Sequence, residues 1–423
     1  MKSRTYNGNG GLERRIAQET HRSAFEIALG NCARLCHASI MGLKHDLYLS
    51  RKPLAGFVVI GLAWACFFAQ MPVIKANLGA ADDTFGAVLL IAAVGALAAM
   101  WLAPLTDRLA GGFSLPFAAL LVAFGFLWGG ASTNLVVFTI AMIITSAGSG
   151  IIDVLVNARI AGIEARSKRN LMNLNHGLYS FAYAGSALLT GVAREAGWGP
   201  SQVFGAAFFV ILALCVVMYG RDNDTGIEDD THSSGTVSAA FVWLIGGIVL
   251  MAFLAEASTE GWSALHIERT LNGGAGEGAL GPALLGLTMG IGRLCGHIVS
   301  RYVADRVLIG VALITSGCGI ALAASAQTLI VAYTGFALGG LGISVVAPVA
   351  LALLGRSVPA AVRMQAISRA SVVGYSAYFM GPPLMGFVSE GLGLRAAFYV
   401  VAGLLICVAV TLVPLLTRYG RRA

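Results

Sequence analysis

The sequence predicts an all-α, polytopic membrane protein: twelve transmembrane helices in two pseudo-symmetric six-helix bundles. Three observations predict it. The composition is too poor in charge to cover a water-facing surface, apolar runs of membrane-crossing length follow one another closely, and a weak internal repeat divides those runs six and six.

Of 423 residues, 57% are apolar and 12% charged, with a mean hydropathy of +0.78. A soluble domain carries roughly 25% charged residues. Crossing a hydrocarbon core takes about 20 apolar residues in a helix. Such runs lie at 54–76, 84–106, 113–131, 134–158, 174–196 and 201–219, then at 238–262, 279–300, 307–325, 328–354, 366–389 and 394–417. Helices satisfy their own backbone in lipid, whereas strands of an open sheet do not.

The polar stretch 220–237 reads as a flexible linker between the two sets. The predicted organisation is therefore a cytoplasmic N-terminal extension (1–53), an N-terminal bundle (54–219), a cytoplasmic linker (220–237), a C-terminal bundle (238–417) and a cytoplasmic tail (418–423). The extension is polar and basic and lacks the apolar core of a cleavable signal peptide. It reads as disordered or as a loose surface helix, and Met41 is an alternative start.

Lys and Arg in the loops set orientation. With the N-terminus inside, the inner segments after residue 53 hold Arg108, Arg159, Arg166, Lys168, Arg169, Arg221, Arg301, Arg306, Arg356, Arg363, Arg369, Arg418, Arg421 and Arg422. The outer segments hold only Lys75, Arg194, Arg269 and Arg395. Both termini are thus expected in the cytoplasm, and the net charge of +7 expresses topology rather than nucleic-acid binding. The seven cysteines are scattered; Cys32-x3-Cys36-His37 has no second Cys/His pair at zinc spacing, so neither a metal site nor a cofactor is expected.

The two halves echo each other. Tyr179-Ser180 with Gly185 returns as Tyr375-Ser376 with Gly381, both 196 residues on (179 to 375, 185 to 381). Asp107-Arg108 returns as Asp305-Arg306, and Gly148-x-Gly150 as Gly340-x-Gly342. Three echoes in one order argue for a duplicated six-helix unit.

A parallel duplication of this kind resembles the major facilitator superfamily, whose loops after spans two and eight carry a Gly-x3-Asp-Arg type motif. Asp-Arg stands in both loops, although Ala103 and Arg301 replace the leading glycine. Other stretches resemble the bacterial branch that is related to fucose permease and includes the YbjJ and MosC membrane proteins. They include Trp64…Pro72-x2-Lys75, Asp153-x3-Asn157…Glu164…His176-Gly177, Glu256…Gly261-Trp262-Ser263, Gly292-Arg293-x2-Gly296 and Gly381-Pro382-Pro383. The resemblance covers about residues 54–417 and implies a secondary transporter working by alternating access, not an enzyme.

Ionisable groups inside a bilayer are costly and mark candidate functional positions. Asp153 and Asn157 share a face of span four, whereas the duplicate half has Val345 and Val349, 192 residues on (153 to 345). This places Asp153 and Asn157 in the solute or proton pathway. His176 opens span five and is either a proton relay or an interfacial histidine. Glu256 in span seven lines a cavity or pairs with Arg293; Glu260, one turn on, adjoins the exit at Gly261-Trp262. Arg293 is the one Lys or Arg well inside a span, with Asp305 and the inner loops as its expected neutralisers. Gln70, Tyr179 and Tyr375, with Trp64, Asn77, Tyr183 and Tyr378, are candidate cavity-lining groups. Asp107, Arg108, Asp305, Arg306 and Arg293 form the expected gating set.

No Walker A sequence or hydrolase motif appears. The expectation is a monomer in the bacterial inner membrane that moves a small polar solute, sugar- or cyclitol-like as the branch resemblance implies, with protons as a possible partner and the direction left open. Efflux of small compounds is the alternative, and a transport-inactive sensor is the alternative from another class.

Overall fold

A computed structural model of the chain describes residues 43–167, 169, 171–220, 238–300 and 302–419. Most of the predicted N-terminal extension, including Cys32, Cys36 and Met41, lies outside the described residues, as do nearly all of the linker and the extreme C-terminus. Residues 43–50, helical over 43–49, belong to one unit, and the described residues from Arg51 onward belong to a second.

The second unit is built from α1 (Arg51–Leu78), α2 (Asp82–Ala110), α3 (Ser114–Gly130), α4 (Leu135–Ser167), α5 (Met172–Glu195) and α6 (Pro200–Met218). Its second half holds α7 (Ala239–Leu271), α8 (Ala275–Val299), α9 (Asp305–Ser325), α10 (Leu329–Ser357), α11 (Ala360–Tyr375), α12 (Ala377–Leu392) and α13 (Leu394–Tyr419). No strand occurs among the described residues. Nine helical stretches among them are long and apolar enough to cross a membrane, and one, Asp82–Gly130, contains both α2 and α3, giving ten spans. The remaining two of the twelve predicted spans are α5, which carries Asn173, Asn175, His176, Arg194 and Glu195, and span eleven, divided into α11 and α12 of 16 residues each.

The division of span eleven has a local cause. Pro382 and Pro383 bring no backbone N–H and crowd the carbonyls one turn earlier. The helix breaks at Ser376, whose hydroxyl donates to the Val373 carbonyl at 2.6 Å. Irregular backbone at membrane depth is tolerated where it lines a cavity, and Tyr375, Tyr378, Phe379 and Pro382 all do so.

Short turns set the other helix ends. Asn134 Oδ1 accepts from the amides of Val136 and Val137 at 2.9 and 3.2 Å, capping α4. Gln202 closes back on the Gly199 amide at 2.6 Å with Pro200 in the first turn of α6. The face where α1 begins and α13 ends is called the terminal face below; the α1–α2 turn marks the opposite face. Large apolar side chains such as Trp101, Leu109, Phe209 and Val216 stand exposed around the barrel of helices, as a lipid-facing belt requires.

Within each half the helices pack into a bundle, and the halves meet chiefly through α5 against α8 and α2 against α12, with α1 touching α7 and α8. At the α2–α12 crossing a Cβ added to Gly86 would stand 2.6 Å from the Pro382 carbonyl oxygen, and one added to Gly386 would stand 2.6 Å from that of Asp82. Glycine at both positions is what allows these backbones to touch.

Candidate functional site: a cavity between two halves and the ion pairs at its ends

Between the bundles lies a cavity of about 310 Å³. Its wall carries nine aromatic side chains (Phe57, Trp64, Phe68, Tyr179, Phe253, Trp262, Tyr375, Tyr378 and Phe379) together with Asp153, His176, Glu256, Glu260 and Arg293. Both halves contribute, so the cavity exists only where the repeats face each other.

Asp153 sits just past the middle of α4. Asn157, one turn on, donates from Nδ2 to the Asp153 carbonyl at 2.8 Å and to its carboxylate at 3.1 Å. From the other half, Tyr375 at the break in span eleven stands beside the same carboxylate. Asp153 is thus held by its own helix and faces the helix break across the interface. Asn157 itself stands outside the cavity lining and acts on it through Asp153.

Arg293 on α8 donates from Nη1 to Ser180 Oγ at 2.7 Å and from Nη2 to Glu256 Oε1 at 3.2 Å. The expected neutralisation by Asp305 is corrected: Asp305 pairs with Arg356 at 2.7 Å. A guanidinium bonds where two acceptors match its fork, and Ser180 and Glu256 offer that match at cavity depth. Glu260, expected at the exit, is buried and lines the cavity. His176 lies on the cavity wall with its ring 4.6 Å from that of Phe57; among the described residues no hydrogen bond joins it to Asp153. Tyr179 and Tyr375 line the cavity as well. Trp64 donates from Nε1 to Ser149 Oγ at 3.0 Å, fixing its ring in the wall.

Gln70 requires a correction. Its amide is fully buried and donates to the Trp198 carbonyl at 3.3 Å, near the opposite face and away from the cavity lining. Tyr183 likewise packs in the α5–α8 contact, against Gly286, rather than on the cavity wall. Asn77 is exposed at the end of α1.

The paired Asp-Arg motifs hold the terminal face, but each within its own bundle. Asp107 accepts from Arg159 at 2.8 Å and from Ser114 at 2.7 Å; Asp305 accepts from Arg356. Arg159 and Arg356 lie in the terminal-face parts of equivalent helices, α4 and α10, so the latch is duplicated with the fold. Arg108 and Arg306 are exposed.

At the opposite face the bundles are tied to each other. Asp82, 2% exposed at the start of α2, meets Lys75 at 2.8 Å, Ser389 of α12 at 2.8 Å and, through both oxygens, Arg269 of α7. Glu390 accepts from the Asp82 amide at 2.9 Å. Beside this cluster, Arg194 of α5 makes a two-pronged pair with Glu268 of α7 at 2.6 and 2.9 Å and donates to the Ala69 carbonyl at 2.7 Å. Arg395 donates to the Ala326 carbonyl at 2.8 Å. Every basic residue that sequence reasoning set aside as an outer-loop charge is therefore engaged in tying this face. Arg194 and Arg269 find their carboxylates 74 and 187 positions away, so no local motif could have revealed those two pairs.

A helical duplication enclosing a shared cavity matches one family. The model of the Major Facilitator Superfamily fits residues 54–338 and 305–422. The chain belongs to the Major Facilitator Superfamily. An uncharacterised MFS-type transporter of Yersinia pestis is 29% identical over 361 residues, covering 84% of this chain and 92% of that protein. Membrane protein MosC of Rhizobium meliloti is 25% identical over 348 residues, covering 82% and 85%. Among solved structures, a bacterial homolog of the human lysosomal transporter Spinster, inward-facing and occupied, superposes with a TM-score of 0.68 at 14% identity, covering 88% of this chain and 97% of that one. Membership makes the chain a multi-pass membrane transporter of this superfamily acting on a small molecule, not an enzyme.

Proposed function

We propose that the chain is a secondary active transporter of the bacterial inner membrane that imports a small polar, sugar- or cyclitol-like solute by alternating access, coupled to protons through Asp153. It works as a monomer, with the terminal face in the cytoplasm, as the bias of Lys and Arg in the loops favours.

The observation that carries this reading is the placement of Asp153. It lines a cavity shared by both bundles, bonded from its own helix by Asn157 and facing Tyr375 across the interface. A proton arriving on this carboxylate changes how it interacts with Tyr375, and so changes the coupling between the two bodies that must rock past each other. Ring faces and hydroxyls on the wall suit stacking and hydrogen bonding of a cyclic solute. The same aromatic wall also favours a second reading, export of small ring-bearing compounds.

The test is uptake of a metabolite panel into proteoliposomes with and without an imposed proton gradient, with the direction of flux separating the two readings. Asp153→Asn should retain exchange of the solute between the two sides and lose gradient-driven accumulation. Undiminished accumulation by this variant would remove proton coupling through Asp153.

A further inference from the structure

We propose that the solute carried in the cavity bears a protonated amine and that Glu260 receives it. The inference rests on the transporter reading above and adds the charge class of the solute.

Glu260 is 8% exposed and lines the cavity, and among the described residues it has neither a hydrogen bond nor an ion pair. The other charged groups of the wall are committed. Arg293, the one guanidinium among the described lining residues, is bonded to Ser180 and Glu256, and Asp153 is bonded by Asn157. The wall thus presents three carboxylates against one guanidinium, a surplus of two negative charges in their ionised forms with His176 counted as neutral. A buried carboxylate demands a counter-charge or a proton.

Glu256, Arg293, Tyr179 and Tyr378 line the same cavity as Glu260. Aromatic faces attract a cation that has left water. An ammonium group at this point would meet Glu260 as a charged acceptor on a wall that also carries tyrosine rings, and the rest of the solute would fill the aromatic part of the cavity. A neutral polyol would leave the carboxylate without a partner. An anionic solute would add a further negative charge beside it.

The test uses two pairs of probes that differ by amine against hydroxyl: D-glucosamine with D-glucose, and phenethylamine with 2-phenylethanol. Binding to the purified full-length protein is read by calorimetry and by the fluorescence of Trp64 and Trp262, which line the cavity. At least one amine should bind about tenfold or more tighter than its hydroxyl twin, the scale of a charge-assisted contact. Glu260→Gln should erase that preference, and Glu260→Asp should keep part of it. Equal binding within both pairs, absence of binding by all four probes, or a preference that survives Glu260→Gln overturns the proposal; the last two results point to a site for protons only or to a different acceptor. If Glu260→Gln does not stay monodisperse, Glu260→Met replaces it, and the wild-type comparison needs no variant. Flux of a neutral solute without amine preference defeats this inference and leaves the transporter reading standing. Glu260-dependent amine binding without flux of any solute does the reverse.

Discussion

Replacing Arg194 with alanine should open the opposite face of the molecule. Arg194 is buried, pairs through two bonds with Glu268 across the interface, and serves the Ala69 carbonyl. Removing one partner of a fully buried ion pair costs about 3–5 kcal/mol. The Glu268 side chain keeps 18% of its surface exposed, so water recovers part of that loss, and about 2–3 kcal/mol is a fair magnitude. The pair joins α5 to α7, so the loss falls on the state closed at this face, and the ratio of open to closed should rise roughly 30- to 150-fold. The assay is the labelling rate of Ala257→Cys, on the cavity wall, by an impermeant maleimide added from that face, in a background with the other cysteines replaced by serine. Arg194→Ala should speed labelling at least about tenfold. Glu268→Gln should act in the same direction, and the double variant should add little to either. A folded Arg194→Ala protein that labels at the parental rate would refute the assignment of this pair as a clamp.

The duplicated latches at the terminal face should prove unequal. Asp107→Ala leaves the buried Arg159 without its carboxylate and should lower stability by about 3 kcal/mol, whereas Asp305→Ala frees an exposed Arg356 and should cost under about 1 kcal/mol; comparison of their thermal unfolding checks this. Gly86→Ala inserts a methyl group against the Pro382 carbonyl of α12. It should accelerate Ala257→Cys labelling as Arg194→Ala does, at a cost of about 1–3 kcal/mol to the closed state, and unchanged labelling would show that the α2–α12 crossing does not gate access.

Asp153 could be found in the sequence because it breaks two rules at once. It is a carboxylate inside an apolar run, and its counterpart in the duplicate half is a valine. Arg293 was visible for the first reason, and Glu256 was offered as one possible partner, but Ser180, 113 positions away, was not, and the choice among partners rests on helix rotations that only packing decides. Gln70 shows the opposite error. A polar side chain within a span looks like cavity lining, but burial against another helix end satisfies it equally well. Glu260 was placed by its neighbour Gly261-Trp262 at a span exit, whereas α7 continues to Leu271 and carries the carboxylate into the interior.

The sequence by itself determined the all-helical class and the apolar surroundings, because hydropathy is a property of the chain read locally. It also exposed the latch aspartates, which recur with the repeat. The tertiary structure alone decided which charges neutralise which. The basic residues that read as outer-loop topology are ties at the opposite face, and Glu260 is left facing the cavity without a partner. These assignments depend on how two bundles dock and how each helix is rotated about its axis. In a low-dielectric interior, a few ångströms of that docking separate a satisfied charge from one that awaits a ligand.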